Sequence, residues 1–134
     1  MTNALNELAF LAHKTQLDKG FVEPDKPRNF GECIALVHSE LSEALEGNRE
    51  GVGEPVFGER FLIQKEISTI TNTIDPKLTP TYNKFKKSPG FELADAIIRI
   101  LGMCEEQGIK DIEWYVLMKM KYNTKRPHKH GKKY

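Results

Sequence analysis

The sequence predicts an all-α fold: a four-helix bundle with an inserted segment between its second and third helices, built to associate with further copies of itself. Three observations predict it. Four segments place apolar residues at helical spacing between capping and stop residues. A stretch rich in proline and glycine, about 48–88, separates the second of these from the third. The third is apolar around well over half its circumference, more than one chain of this size is expected to cover. A length of 134 residues suits one domain, 1–134, closed by a basic tail at about 127–134.

The first helix is predicted over Asn3–Lys19, with Leu5, Leu8, Ala9 and Ala12 on one face and Gly20 as its stop. Pro24 and Pro27 then impose extended backbone. The second is predicted over Asn29–Glu46, with Asn29 as N-cap and Gly47 as stop. Its apolar stripe is Phe30, Ile34, Val37, Leu41 and Leu45. In the insert, apolar positions in Phe61–Ile74 fit a short amphipathic helix, and the remainder reads as loop. The third helix starts at Ser88-Pro89-Gly90, with Ser as cap and Pro in the first turn, and ends at Gly108. The fourth follows Asp111 and runs to about Thr124, ahead of Arg126-Pro127.

Charge excludes little globally, because 20 basic residues nearly balance 19 acidic ones. Locally, the chain from Lys119 onward holds seven Lys or Arg and no acid. The apolar run Leu8–Ala12 is too short for a signal core or a membrane span, so no membrane partner is expected. Cys33 and Cys104 fall on apolar helix faces and read as buried thiols suited to a reducing, cytoplasmic compartment. Residues after Pro127 have little to bury and are expected to be poorly ordered without a ligand.

The chemistry is carried by acids at helical spacing. Glu40 and Glu43 stand at i and i+3 on the second helix, and Glu92 and Asp95 repeat that spacing on the third. Like charges so placed repel by a few tenths of a kcal/mol (~0.2–0.5) unless something sits between them. A divalent cation with oxygen preference, Mg²⁺ above all, would use both pairs and leave positions open for phosphate oxygens. Solvated helix faces are the other reading that spacing allows. Glu40 and Glu43 lie beside the apolar stripe, where a bundle would partly bury them, whereas Glu92, Asp95, Arg99 and Glu106 form a narrow polar strip that could face water. On the fourth helix Tyr115, Lys119, Tyr122, Asn123 and Arg126 share one arc, with cations suited to phosphate and an amide suited to ribose, base or phosphate.

Three blocks together resemble the MazG-like nucleoside triphosphate pyrophosphohydrolases, an all-α superfamily. They are His38-Ser-Glu-Leu-Ser-Glu-Ala-Leu-Glu46, Phe91-Glu-Leu-Ala-Asp-Ala-Ile-Ile-Arg-Ile-Leu101 and Lys121-Tyr-Asn-Thr-Lys-Arg-Pro-His-Lys-His-Gly-Lys-Lys133, and they occur in the family's order. The resemblance implies a MazG-like bundle whose Glu40, Glu43, Glu92 and Asp95 hold Mg²⁺, with Mn²⁺ as an alternative. It implies substrate contacts from Lys119, Asn123 and Arg126, and a catalytic role for Glu40 or Glu43 as proton acceptor. The implied reaction is hydrolysis of a nucleoside triphosphate, deoxynucleotides included, to the monophosphate and pyrophosphate by a homodimer or homotetramer. The stretch between Glu43 and Glu92 is longer than in compact members, so no base-contacting residue is carried over.

Other signatures are missing. There is no Walker-type phosphate loop, and Gly51-Val-Gly53 lacks the third glycine of a dinucleotide fingerprint. His38 reads as a boundary histidine, and His128 and His130 as part of a solvated tail. The rival function is a non-enzymatic helical module that binds nucleic acid through the basic tail. Little aromatic interleaving accompanies those cations, and no groove-reading motif is present, which weighs against nucleic acid.

Overall fold

Five helices, α1 Ala4–Asp18, α2 Phe30–Arg49, α3 Thr79–Phe85, α4 Pro89–Glu106 and α5 Ile112–Thr124, make up the regular structure of the computed structural model, which describes residues 4–56 and 79–128. Among the described residues there is no strand, only an isolated bridge between Glu23 and Lys26 around Pro24-Asp25. The fold is all-α, as expected. The helix expected within Phe61–Ile74 and the end of the basic tail lie outside the described residues. No described helix is long and apolar enough to cross a membrane.

Most helix ends follow from local chemistry. Asn29 Oδ1 accepts hydrogen bonds from the backbone N–H groups of Gly31 and Glu32, at 2.8 and 3.3 Å, which caps α2. Ser88 is fully buried and its Oγ accepts from Phe91 N at 3.3 Å, capping α4. Asp111 caps α5, accepting from Trp114 N at 3.3 Å. Helix α4 ends at Glu106, and Gly108 in the turn after it takes a φ of 75° that only glycine adopts without cost.

Two boundaries differ from the sequence expectation. Helix α2 does not stop at Gly47 but continues to Arg49, and Gly51, at φ 73°, supplies the left-handed stop. Gly47 is buried inside the helix because a Cβ there would collide with the backbone carbonyl of Lys87. Its lack of a side chain serves close packing, not termination. Helix α3 lies in the stretch read as loop, with Pro80 in its first turn, where a missing N–H costs nothing.

The chain forms two compact units, one of Met1–Ile34 with Ile98–Tyr134, the other Ala35–Ile97. In the first, Ala9, Val22, Cys33, Leu101, Met103 and Cys104 are buried. Helices α1 and α5 are tied at their starts: Leu5 N donates to Glu113 Oε1 at 3.2 Å, Glu113 N to Asn6 Oδ1 at 3.1 Å, and Asn6 Nδ2 to Asp111 Oδ1 at 2.8 Å. In the second, Ala44, Phe85 and Ala96 are buried, and Tyr82 meets Phe91 edge to face at 5.5 Å.

The apolar stripe of α2 is largely turned outward. Phe30, Ile34, Leu41 and Leu45 are exposed, and the buried positions are Cys33, Glu40, Ala44 and Gly47. Periodicity located the helix but named the wrong buried face, because small residues and one acid, not the large apolar ones, suit the close packing observed. The polar strip of α4 is corrected too, since Glu92 and the Glu106 side chain are buried and do not face water.

Glu106 is the strongest ion-pair partner in the first unit. Its side chain is 1% exposed, and Arg28 reaches it through Nη2 at 2.8 Å, Nε at 3.1 Å and backbone N–H at 2.7 Å. Gln107 Nε2 donates to the Arg28 carbonyl at 2.6 Å and completes the clasp. Burial alone would raise the Glu106 pKa, but the Arg28 hydrogen bonds and charge together hold it below the usual carboxylate range. A depressed folded-state pKa contributes stability that is complete above the unfolded value and lost as pH falls through the folded one. Arg28→Ala is therefore expected to cost about 3 kcal/mol at neutral pH by leaving a buried carboxylate unpaired. In urea titrations the gap from wild type should narrow as pH falls below about 4, near the ordinary carboxylate value. A pH-independent gap would show that the ion pair is not the cause.

Candidate metal centre

The second unit gathers the acids. Glu40, Glu43 and Glu92 each place a carboxylate oxygen so that all three lie within 4.8 Å of one another. Glu40 and Glu92 are buried, at 8% and 7% exposure, whereas Glu43 is exposed. The local sequence explains the convergence. Glu40, Ala44 and Gly47 lie on the buried side of α2, and Glu92 and Ala96 on that of α4. Gly47, whose missing side chain admits the backbone carbonyl of Lys87 two residues before α4, lets α2 approach the turn into that helix.

The electrostatics are unfavourable without a counter-charge. The Glu92 pKa is raised, first by burial, then by the Glu43 carboxylate and a hydrogen bond with it, and further by Asp95 and Glu40. Asp95 is exposed, outside the trio's mutual 4.8 Å, and acts on Glu92 through its charge. Three convergent carboxylate oxygens, two of them buried, fit a hard divalent cation, which takes oxygen ligands and relieves the repulsion.

Beside the trio, and sharing Glu43 and Glu92 with it, is a cavity of about 180 Å³. Its other described lining residues are Glu46, Gly47, Glu50 and Lys87. The sequence reasoning missed these. Glu46 and Glu50 continue the spacing of Glu43 at i+3 and i+7, a signal visible only if α2 is not ended at Gly47.

The predicted substrate-binding residues lie in the first unit. Lys119 Nζ is 5.5 Å, and the Arg126 guanidinium 5.9 Å, from the centroid of the Tyr122 ring. One exposed ring therefore supports both cations. Asn123 is exposed on the same helix, and its carbonyl accepts from Arg126 N at 3.2 Å.

No protein-family model matches the chain, and neither the curated proteins nor the solved structures give a match.

Replacing Glu92 by Gln removes the carboxylate whose charge burial and its acidic neighbours oppose and supplies an amide donor for Glu43. Glu92→Gln is expected to raise the melting temperature of metal-free protein and to shrink the further rise on adding Mg²⁺. A lower metal-free melting temperature with an undiminished Mg²⁺ response would count against the trio as a cation site.

Proposed function

We propose that this chain is a Mg²⁺-dependent nucleoside triphosphate pyrophosphohydrolase of the MazG-like kind, with Mn²⁺ able to substitute. The observation that carries this reading is the convergence of Glu40, Glu43 and Glu92 from two helices, two of the three being buried. Purely structural acids have no reason to be drawn together in this way. Asp95, one turn from Glu92 on the same helix, is the fourth member of the set.

A divalent cation at these residues would neutralise phosphate charge and make a water easier to deprotonate. Glu40 and Glu92, buried and fixed by packing, serve as ligands. Glu43 is the carboxylate with solvent access, which suits it to accept the proton of the attacking water. Water adds at the α-phosphorus, the bond to the α–β bridging oxygen breaks, and monophosphate and pyrophosphate leave. The resemblance assigns to Lys119 and Arg126 the charge that develops on the departing pyrophosphate, and to Asn123 a hydrogen bond to the nucleotide.

Self-association belongs to the same reading. Leu93, Ile97, Ile98 and Ile100 of α4 are exposed, as are Trp114, Leu117 and Met120 of α5 and the stripe of α2. So much apolar surface on one chain supports a homodimer or homotetramer.

Glu43→Ala and Asp95→Ala are expected to lower Mg²⁺-dependent turnover of nucleoside triphosphates by about 100-fold or more while the far-ultraviolet circular dichroism is unchanged. Product analysis should show monophosphate and pyrophosphate. Diphosphate with inorganic phosphate would mean attack at another phosphorus, and full activity in both variants would refute the site. Light scattering at micromolar concentration should give at least a dimer mass, and a monomer there would overturn the assembly.

A further inference from the structure

The cavity beside the carboxylate trio has one cationic residue among its described lining, and the proposed chemistry has not used it. Lys87 lines it together with Glu43, Glu46, Glu50 and Glu92, so one lysine shares the cavity with four glutamates. It nevertheless makes no ion pair with any described residue, and its side chain is exposed. A lysine serving as resident counter-ion would be drawn onto one of these acids.

The backbone that carries Lys87 is held in place. Its carbonyl oxygen abuts Gly47 of α2, and the next residue, Ser88, is fully buried while it caps α4. The long stem thus starts from a fixed point at the cavity wall while the ammonium remains available. Among the described lining residues no other cation is present. An anion cannot enter so acidic a space unaided, but one carried in on a divalent cation brings its own compensation. Its outer oxygens then need a positive partner, and a lysine ammonium is a point-charge donor suited to phosphate.

We infer that Lys87 is a substrate-contacting residue, donating to a phosphate oxygen of a polyphosphate bound through a divalent cation at Glu40, Glu43 and Glu92. This rests on the reading of the trio as a metal-dependent polyphosphate site. The ligand chemistry is that of a polyphosphate chain or of pyrophosphate itself, independent of any base.

Inorganic pyrophosphate and Mn²⁺ are the probes, measured by calorimetry on the full chain. Mn²⁺ is titrated alone, then pyrophosphate is titrated at saturating Mn²⁺, for wild type, Lys87→Ala, Lys87→Arg and Lys86→Ala. Lys87→Ala is expected to weaken pyrophosphate binding about tenfold or more, the loss of one charge-assisted hydrogen bond. Lys87→Arg should retain most of the affinity, Lys86→Ala should match wild type, and Mn²⁺ binding alone should not weaken in any of them. Wild-type pyrophosphate affinity in Lys87→Ala would overturn the contact while leaving the metal site standing. Parallel weakening of Mn²⁺ binding would overturn it as well, because the loss would then act through the carboxylates. If wild type bound Mn²⁺ but no pyrophosphate, the reading of the site as a polyphosphate centre would fall along with the Lys87 contact.

Discussion

The carboxylate site depends on the close approach of α2 to the turn that begins α4, and that approach depends on Gly47. A single methyl group at this position would strike the Lys87 carbonyl, so the backbones could not keep their present separation. Ala44 and Ala96 are the other small residues buried on these two helices. A small-residue seam here does more than fill a core. It forces together groups that would otherwise repel, and so stores an unfavourable interaction that a cation can relieve.

Helix α4 shows two outcomes for a buried glutamate. Glu106 has Arg28 as a multiply bonded partner, and its pKa falls despite burial. Glu92 is acted on only by burial and by the carboxylates Glu43, Asp95 and Glu40, and its pKa rises. The first arrangement is complete within the chain and stabilises it. In the second no cation among the described residues acts on Glu92, and that deficit is what suits the position to a ligand. Burial alone therefore does not separate a structural acid from a functional one. The identity of the neighbours does.

Much of the fold was legible because its punctuation is local. Asn29, Ser88 and Asp111 cap the helices that follow them through bonds to residues two or three positions away, and Gly20 and Gly108 take the left-handed conformation at helix ends. The acids at i and i+3 were legible for the same reason. Long-range contacts were not. Gly47 follows an apolar run and so reads as a stop, and only the approach of Lys87 reveals its actual role. That misreading hid Glu50, in the turn that follows α2, from the set of cavity-lining acids. Pro80 was read as an interruption, although a proline in a first helical turn marks a beginning.

The inverted burial of α2 connects the site to the surface. A helix of this composition would ordinarily turn Phe30, Ile34, Leu41 and Leu45 inward and leave its acids in water. Here those apolar residues are exposed, and Glu40 is buried with Ala44 and Gly47. The large apolar side chains whose burial normally stabilises a single chain thereby stand on the exposed side of the helix. Two requirements compete for one helix, a narrow seam that brings acids together and a broad apolar face that drives packing. They lie on different sides of α2, with Glu40, Ala44 and Gly47 buried on one and Phe30, Ile34, Leu41 and Leu45 exposed on the other.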